Sequence, residues 1–244
     1  MLAPDTPRQN HFLAALPPAD YSRLLPHLER IELPYGRVLY EAGIRQEYIY
    51  FPTSSVVSLL CFGPDGSAKS TAVIGNEGLV GVALLLGGKA IPSRAVVQSG
   101  GYGYRLRAGV LQGEFGRRSE LQHLLLRFTQ ALITQMAQTA VCHQHHSTEQ
   151  QLCRWLLLSL DSLPADDAAM AQELAVDTPS GQLGAISEAA RNLQRTDSLH
   201  YRRGRVTVLD RMKLERRVCE CYAIVKEESE RLLWPHRSAL EALA

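Results

Sequence analysis

The chain has no long apolar run. Its longest, Leu79 to Leu86, falls far short of the roughly 20 residues that cross a bilayer. The segment Met1–Asn10 has no apolar core of its own, so no signal peptide is expected. Cysteine is sparse: Cys61, Cys142, Cys153, Cys219 and Cys221 are odd in number and lack the spacing of a small disulfide scaffold, which points to the reducing cytoplasm. No cysteine precedes Cys61, and an iron–sulfur cluster takes four thiolates, so none is expected. Catalytic signatures are absent too: there is no Walker loop, no Gly-x-Ser-x-Gly elbow and no His-Glu-x-x-His pair, and Asp161, Asp166 and Asp167 read as solvated charge in a loop. Histidine is missing from Ile31–Leu106, which removes the metal ligands a barrel enzyme would need on its strands. The chain is not expected to be an enzyme.

Excess charge of one sign is also missing, the net value being +1, which argues against a histone-like binder. The distribution is uneven, however. From Gln182 to Arg217 there are nine Arg and Lys against four Asp and Glu, a basic stretch of the kind that meets nucleic acid.

Between Ile31 and Leu106 short β-branched and aromatic runs alternate with turn signals. Strands are expected at Arg37–Tyr40, Tyr48–Phe51, Val56–Phe62, Ser70–Ile74 and Ala95–Gln98, with breaks at Pro34-Tyr35-Gly36, Gly43, Gly75 and the glycines at 100, 101 and 103. Gly63-Pro-Asp-Gly66 predicts a hairpin between two of them. This spacing suits an antiparallel jelly roll. A helix over residues 20–30, capped by Asp20, is expected before it.

After Gly109 the period becomes helical. Leu121, Leu125, Phe128, Leu132, Met136 and Thr139 fall three and four apart, a stripe suited to pairing with a second copy of the chain, or else to packing within one chain. The helix is expected to fray at His143–His146 and to restart at Ser147, where Gln150 completes a capping box. A short helix around Ala168–Val176, a break at Asp177–Gly181 and a helix to Arg195 follow. Leu199–Leu209 alternates about Arg203-Gly204, as a two-stranded wing does. Helix, turn, helix and hairpin in this order make a winged helix-turn-helix. The fold class expected is α+β, with a sensor roll over 11–118, a dimerisation helix over 119–146 and a winged helix over 147–234.

Four stretches carry a resemblance: Tyr48–Leu59, Val73–Gly81, Ser147–Leu156 and Tyr201–Asp210. In that order they resemble the CRP/FNR superfamily of bacterial transcription regulators, in a branch not tuned to cyclic AMP. The resemblance implies an effector-responsive homodimer that binds duplex DNA, and RNA polymerase as a further partner if it activates. The alternative is a sensor roll whose winged helix has turned to a protein partner.

Under the resemblance, Gly75, Glu77 and Gly78, with Ser93 and Arg94, correspond to a phosphate-binding cassette. Glycines admit backbone N–H groups to a phosphate, a glutamate accepts from ribose and an arginine neutralises charge. Ser93 rather than Arg94 stands where cyclic-AMP binders carry their arginine, so cyclic AMP is not the expected ligand and the effector is left open. For DNA, Gln182, Ser187 and Arg191 are the candidates for base edges, and Arg195, Arg202, Arg203 and Arg205 for phosphates. Leu183 and Gly184 occupy positions where the family usually has charged residues. Cys142-His143-Gln-His145-His146 could ligate zinc or haem, but a single cluster without a distant partner pair is a weak signal. Cys219-Glu-Cys221 lacks the usual two-residue gap, and no metal is expected.

Overall fold

The computed structural model describes residues 6–64, 66–88, 91–117, 119–164, 173–175, 183–202 and 205–234. Helices α1 (His11–Ala14) and α2 (Pro18–Leu24) lead into seven strands: β1 (Glu29–Leu33), β2 (Val38–Tyr40), β3 (Tyr48–Pro52), β4 (Val56–Phe62), β5 (Ala68–Ile74), β6 (Ser93–Ser99) and β7 (Gly101–Arg107). They form two antiparallel sheets, β1-β7-β3 and β2-β6-β4-β5. Ile49 and Phe51 of one sheet and Val57, Leu59 and Val97 of the other share a core with Phe12 and Leu24. Burial of such side chains stabilises the roll by about 1.5–3 kcal/mol each.

The β4–β5 hairpin forms as the sequence predicts. Gly66 adopts φ +76°, which an L side chain rarely does, and the Gly63 N–H donates to the Ser67 carbonyl at 2.7 Å. Other expectations fail. Gly101 and Gly103 lie not in a break but in β7, the central strand of its sheet. A Cβ on Gly101 would stand 2.4 Å from the Ser54 carbonyl oxygen, so glycine lets the backbones meet. Asp20 does not begin a helix: it is buried inside α2, and its Oδ2 accepts the Leu121 N–H at 3.2 Å, capping a helix distant in sequence.

Three helices follow the roll: α3 (Ala108–Phe115), α4 (Glu120–His145) and α5 (Thr148–Asp161). The 26 residues of α4 make a rod about 39 Å long. At the α4–α5 junction the capping box is present, the Gln150 N–H donating to Ser147 Oγ at 3.3 Å and the Ser147 N–H to Gln150 Oε1 at 3.1 Å. Beyond it come β8 (Glu173–Ala175), α6 (Leu183–Arg195), β9 (Leu199–Arg202), β10 (Arg205–Val208), α7 (Arg211–Glu215) and α8 (Cys221–Leu233). Residues 173–175, expected within a helix, instead pair with β10 in a sheet of order β8-β10-β9. The remainder of that expected helix, and the expected break at Asp177–Gly181, lie outside the described residues.

The α4 stripe needs correction. Leu121, Leu125, Phe128 and Leu132 are buried in the chain's own core with the roll, and Met136 packs against them. The large apolar side chains that α4 leaves exposed are Leu126, Ile133 and Val141. α8 returns along α4: Cys221 at its start meets Cys142, and Leu233 at its end joins the core holding Phe128, so the two run antiparallel. Asp161, expected as solvated charge in a loop, ends α5 and accepts hydrogen bonds from Tyr222 at 2.8 Å and Arg211 at 2.7 Å.

Candidate nucleic-acid interface

α6 buries Ala189, Ala190 and Leu193 against Leu156 of α5 and Leu199 and Val206 of the hairpin. That choice of buried face turns Gly184, Ala185, Glu188, Arg191 and Arg195 outward. Of the base-edge candidates, Arg191 is exposed, whereas Ser187 donates to or accepts from the Tyr201 hydroxyl at 2.9 Å and so locks helix to hairpin. Gln194 does the same, its Oε1 accepting the Tyr201 N–H at 2.7 Å. Gln182 and Arg203 lie outside the described residues. At the wing, Arg202 and Arg205 are exposed and directly opposite in the β9–β10 register. Like charges facing each other across strands cost stability. Arg205 also stacks on Tyr35 of the roll.

The effector residues are not brought together. Gly75 and Gly78 serve internal packing: a Cβ on Gly75 would lie 2.1 Å from the Ser162 carbonyl oxygen, and one on Gly78 2.2 Å from the Phe128 ring. Glu77 bends back on its own loop, both carboxylate oxygens accepting the Gly75 N–H at 3.0 and 3.1 Å, and burial pushes its carboxyl above the usual range. Arg94, opposite Leu60, pairs with Glu41 at 2.7 Å, while Ile74, which leads to Glu77, is opposite Val57. Glu77 and Arg94 therefore stand toward different ends of β4. Ser93 is buried beside the Tyr40 hydroxyl. The physical reason is that the loop's glycines are used up by α4 and by the end of α5. A cleft of about 570 Å³ opens elsewhere, between the β4–β5 hairpin and α4, lined by Phe62, Lys69, Thr71, Met136, Thr139 and His143.

The structure also joins two sequence pairs that looked unrelated. Cys142 and His146 at the end of α4 meet Cys219 and Cys221 at the start of α8, their ligand atoms all within 4.8 Å of one another. Burial and the neighbouring thiols push Cys221 up to about 12. The partner pair that the sequence did not reveal is thus supplied by the antiparallel return of α8. The sequence signal was two short-spaced Cys/His pairs, one after the α4 period and one before the final helical stretch. Among the described residues, no helix is long and apolar enough to cross a membrane.

No protein-family model matches the chain, and no curated protein does. Solved structures do. A transcriptional regulator of the CRP/FNR family from Eubacterium rectale is similar with a TM-score of 0.62 at 10% identity, over 86% of this chain and 98% of its own. FixK2 from Bradyrhizobium japonicum is similar with a TM-score of 0.61 at 13% identity, over 79% and 98%. The c-di-GMP responsive global regulator CLP of Xanthomonas campestris is similar with a TM-score of 0.53 at 16% identity, over 78% and 98%. These neighbours are transcription regulators rather than enzymes. The chain has the fold of the CRP/FNR regulators.

Proposed function

We propose that this chain, built on the CRP/FNR fold, is a cytoplasmic, homodimeric transcription regulator that binds duplex DNA through α6 and the β9–β10 wing and responds to a small-molecule effector. One observation carries the DNA reading. Arg202 and Arg205 face each other at the wing while Arg191 and Arg195 line the outer side of α6, a set of cations with phosphate as its natural counterion. With Gly184 and Ala185 at the exposed start of the helix and Ser187 engaged by Tyr201, few side chains remain for base edges. Backbone contacts and DNA shape then dominate over direct readout.

The dimer surface in this reading is the exposed side of α4, where Leu126, Ile133, Ala137 and Val141 recur at helical spacing. The effector site is the cleft between the β4–β5 hairpin and α4. A ligand there touches both the roll and the helix, and Thr139 in its wall accepts a hydrogen bond from Arg154 of α5 at 3.1 Å. Gln135 Oε1 accepts the Val73 N–H at 3.0 Å, a second strut from helix to roll. The test is titration of the full chain with unrelated and promoter-derived duplexes at several salt concentrations. A regulator loses affinity steeply as salt rises, by a factor set by the phosphates contacted. No binding at low salt favours the alternative, a roll whose helix-hairpin unit serves a protein partner.

A further inference from the structure

We propose that Cys142, His146, Cys219 and Cys221 form a closed, tetrahedral zinc site that fastens the start of α8 to the end of α4. The inference does not depend on DNA or effector binding. Two edges of the cluster already have the lengths zinc requires. Thiolates about 2.3 Å and an imidazole nitrogen about 2.0 Å from a tetrahedral ion stand about 3.8 Å (sulfur to sulfur) and about 3.6 Å (sulfur to nitrogen) apart. Cys142 Sγ and Cys219 Sγ are 3.6 Å apart, and so are Cys221 Sγ and His146 Nδ1. The sulfur pair is far beyond the disulfide bond length of about 2.0 Å. No ligand atom is more than 4.8 Å from another, so no edge has to close by more than about 1 Å.

The surroundings fit a metal as well. His146 Nε2 lies 3.1 Å from the Glu220 carboxylate. A carboxylate on the far ring nitrogen fixes the proton there and leaves the Nδ1 lone pair, which faces Cys221, for an ion. The backbone holds the ligands in place. The His146 N–H donates to the Cys142 carbonyl at 3.1 Å, the Tyr222 N–H to the Cys219 carbonyl at 3.1 Å, and Ser147 starts α5 at once. Binding displaces three thiol protons to solvent and leaves three thiolates and a neutral imidazole on a divalent ion, a net charge of −1. Arg154, only 5% exposed, lies against Cys142 and has no carboxylate partner among the described residues. An anionic complex places counter-charge beside this buried guanidinium.

Four protein ligands, three of them buried thiols, leave no position for water, which makes the site structural rather than catalytic. A sulfur-rich tetrahedron selects zinc over the harder magnesium or calcium. Ligands converging on a point also suit one ion better than an iron–sulfur cage.

The experiment uses the reduced full chain. Metal analysis after gel filtration should find one zinc per chain, and cobalt exchanged for zinc should give tetrahedral ligand-field bands with thiolate charge transfer. Cys219→Ser and His146→Ala should each lose that spectrum, and Cys61→Ser should keep it. Glu220→Gln, which retains all four ligands, should keep the spectrum and weaken affinity about ten- to hundredfold. It keeps the proposal testable where a ligand variant fails to fold. A reduced chain without tetrahedral cobalt bands overturns the proposal, as does a spectrum unchanged in Cys219→Ser. An air-oxidised Cys142–Cys219 disulfide that takes up no metal after reduction overturns it too.

Discussion

The guanidinium of Arg205 stands 5.7 Å from the centre of the Tyr35 ring, so a residue of the β9–β10 hairpin is held by a loop of the roll. Such a cation–π contact contributes about 0.5–1 kcal/mol at an exposed site. Tyr35→Ala removes this one contact and should raise duplex affinity by at most about fivefold, leaving the salt slope alone. Arg205→Ala should weaken binding about equally for unrelated sequences and flatten the slope of log affinity against log salt by roughly one unit. Fluorescence anisotropy at several salt concentrations separates these outcomes. Loss confined to one sequence would place Arg205 at a base edge instead.

The two faces of α4 should respond differently to charge. Leu126→Glu with Ile133→Glu is expected to yield folded monomers, because both side chains are exposed in the single chain. Leu125→Glu with Leu132→Glu should instead unfold the chain, since a charge buried without a partner costs several kcal/mol. Light scattering and circular dichroism on the same samples decide this. A dimer that survives the first pair removes that face from the interface.

Gly75→Ala and Gly78→Ala should each destabilise the fold by about 1–3 kcal/mol, the range seen when an extra carbon is forced into a packed site. Gly113→Ala, in α3 with nothing within 4 Å of the added carbon, should stabilise by about 0.5–1 kcal/mol. Thermal melts compare all three. A loop shaped for a ligand alone would leave the first two melting temperatures unchanged.

Glu77 gives a signed pH dependence. Its carboxyl is raised above 4.5 in the fold, so the fold holds that proton more tightly than the unfolded chain does. The stability this contributes is complete below 4.5 and is lost as pH rises through the folded value. Glu77→Gln should therefore flatten the fall in denaturation midpoint above 4.5, and parallel curves for variant and parent would reject the assignment.

A ligand seated in the hairpin–α4 cleft should stabilise the chain by about 2.7 kcal/mol at a hundredfold excess over its Kd. Nucleotides and dinucleotides are the first set for a melting assay. Lys69→Ala should abolish the shift and Arg94→Ala should not, because Arg94 is engaged by Glu41 on the outside of the roll. Cyclic AMP is expected to give none.

Local signals were legible in the sequence wherever neighbours in the chain settle the geometry. The Gly63–Gly66 turn, the Ser147–Gln150 capping box and the β9–β10 pairing depend on residues a few positions apart. What needed the whole molecule was hidden. The period of Leu121–Leu132 is the same whether the stripe meets a second chain or its own roll, so spacing could not choose between them. The cap that Asp20 provides belongs to a helix a hundred residues later. Gly75 and Gly78 look like a phosphate loop because close backbone approach to Ser162 and Phe128 demands the same residue type as approach to a ligand. The partners of Cys142 and His146 became visible only once α8 lay along α4.

The edge-on contact of His11 with Trp234, 5.7 Å between ring centres, bears on the order of events during synthesis. The core shared by the roll and α4 takes Leu233 from the far end of the described chain. A ribosome that has emitted the chain only as far as α5 leaves Phe128 and its neighbours without the cover that Leu233 of α8 supplies. Nascent chains halted before residue 220 should thus be protease-sensitive and bound by chaperones. Translation past the last turn of α8 should make the same segment resistant.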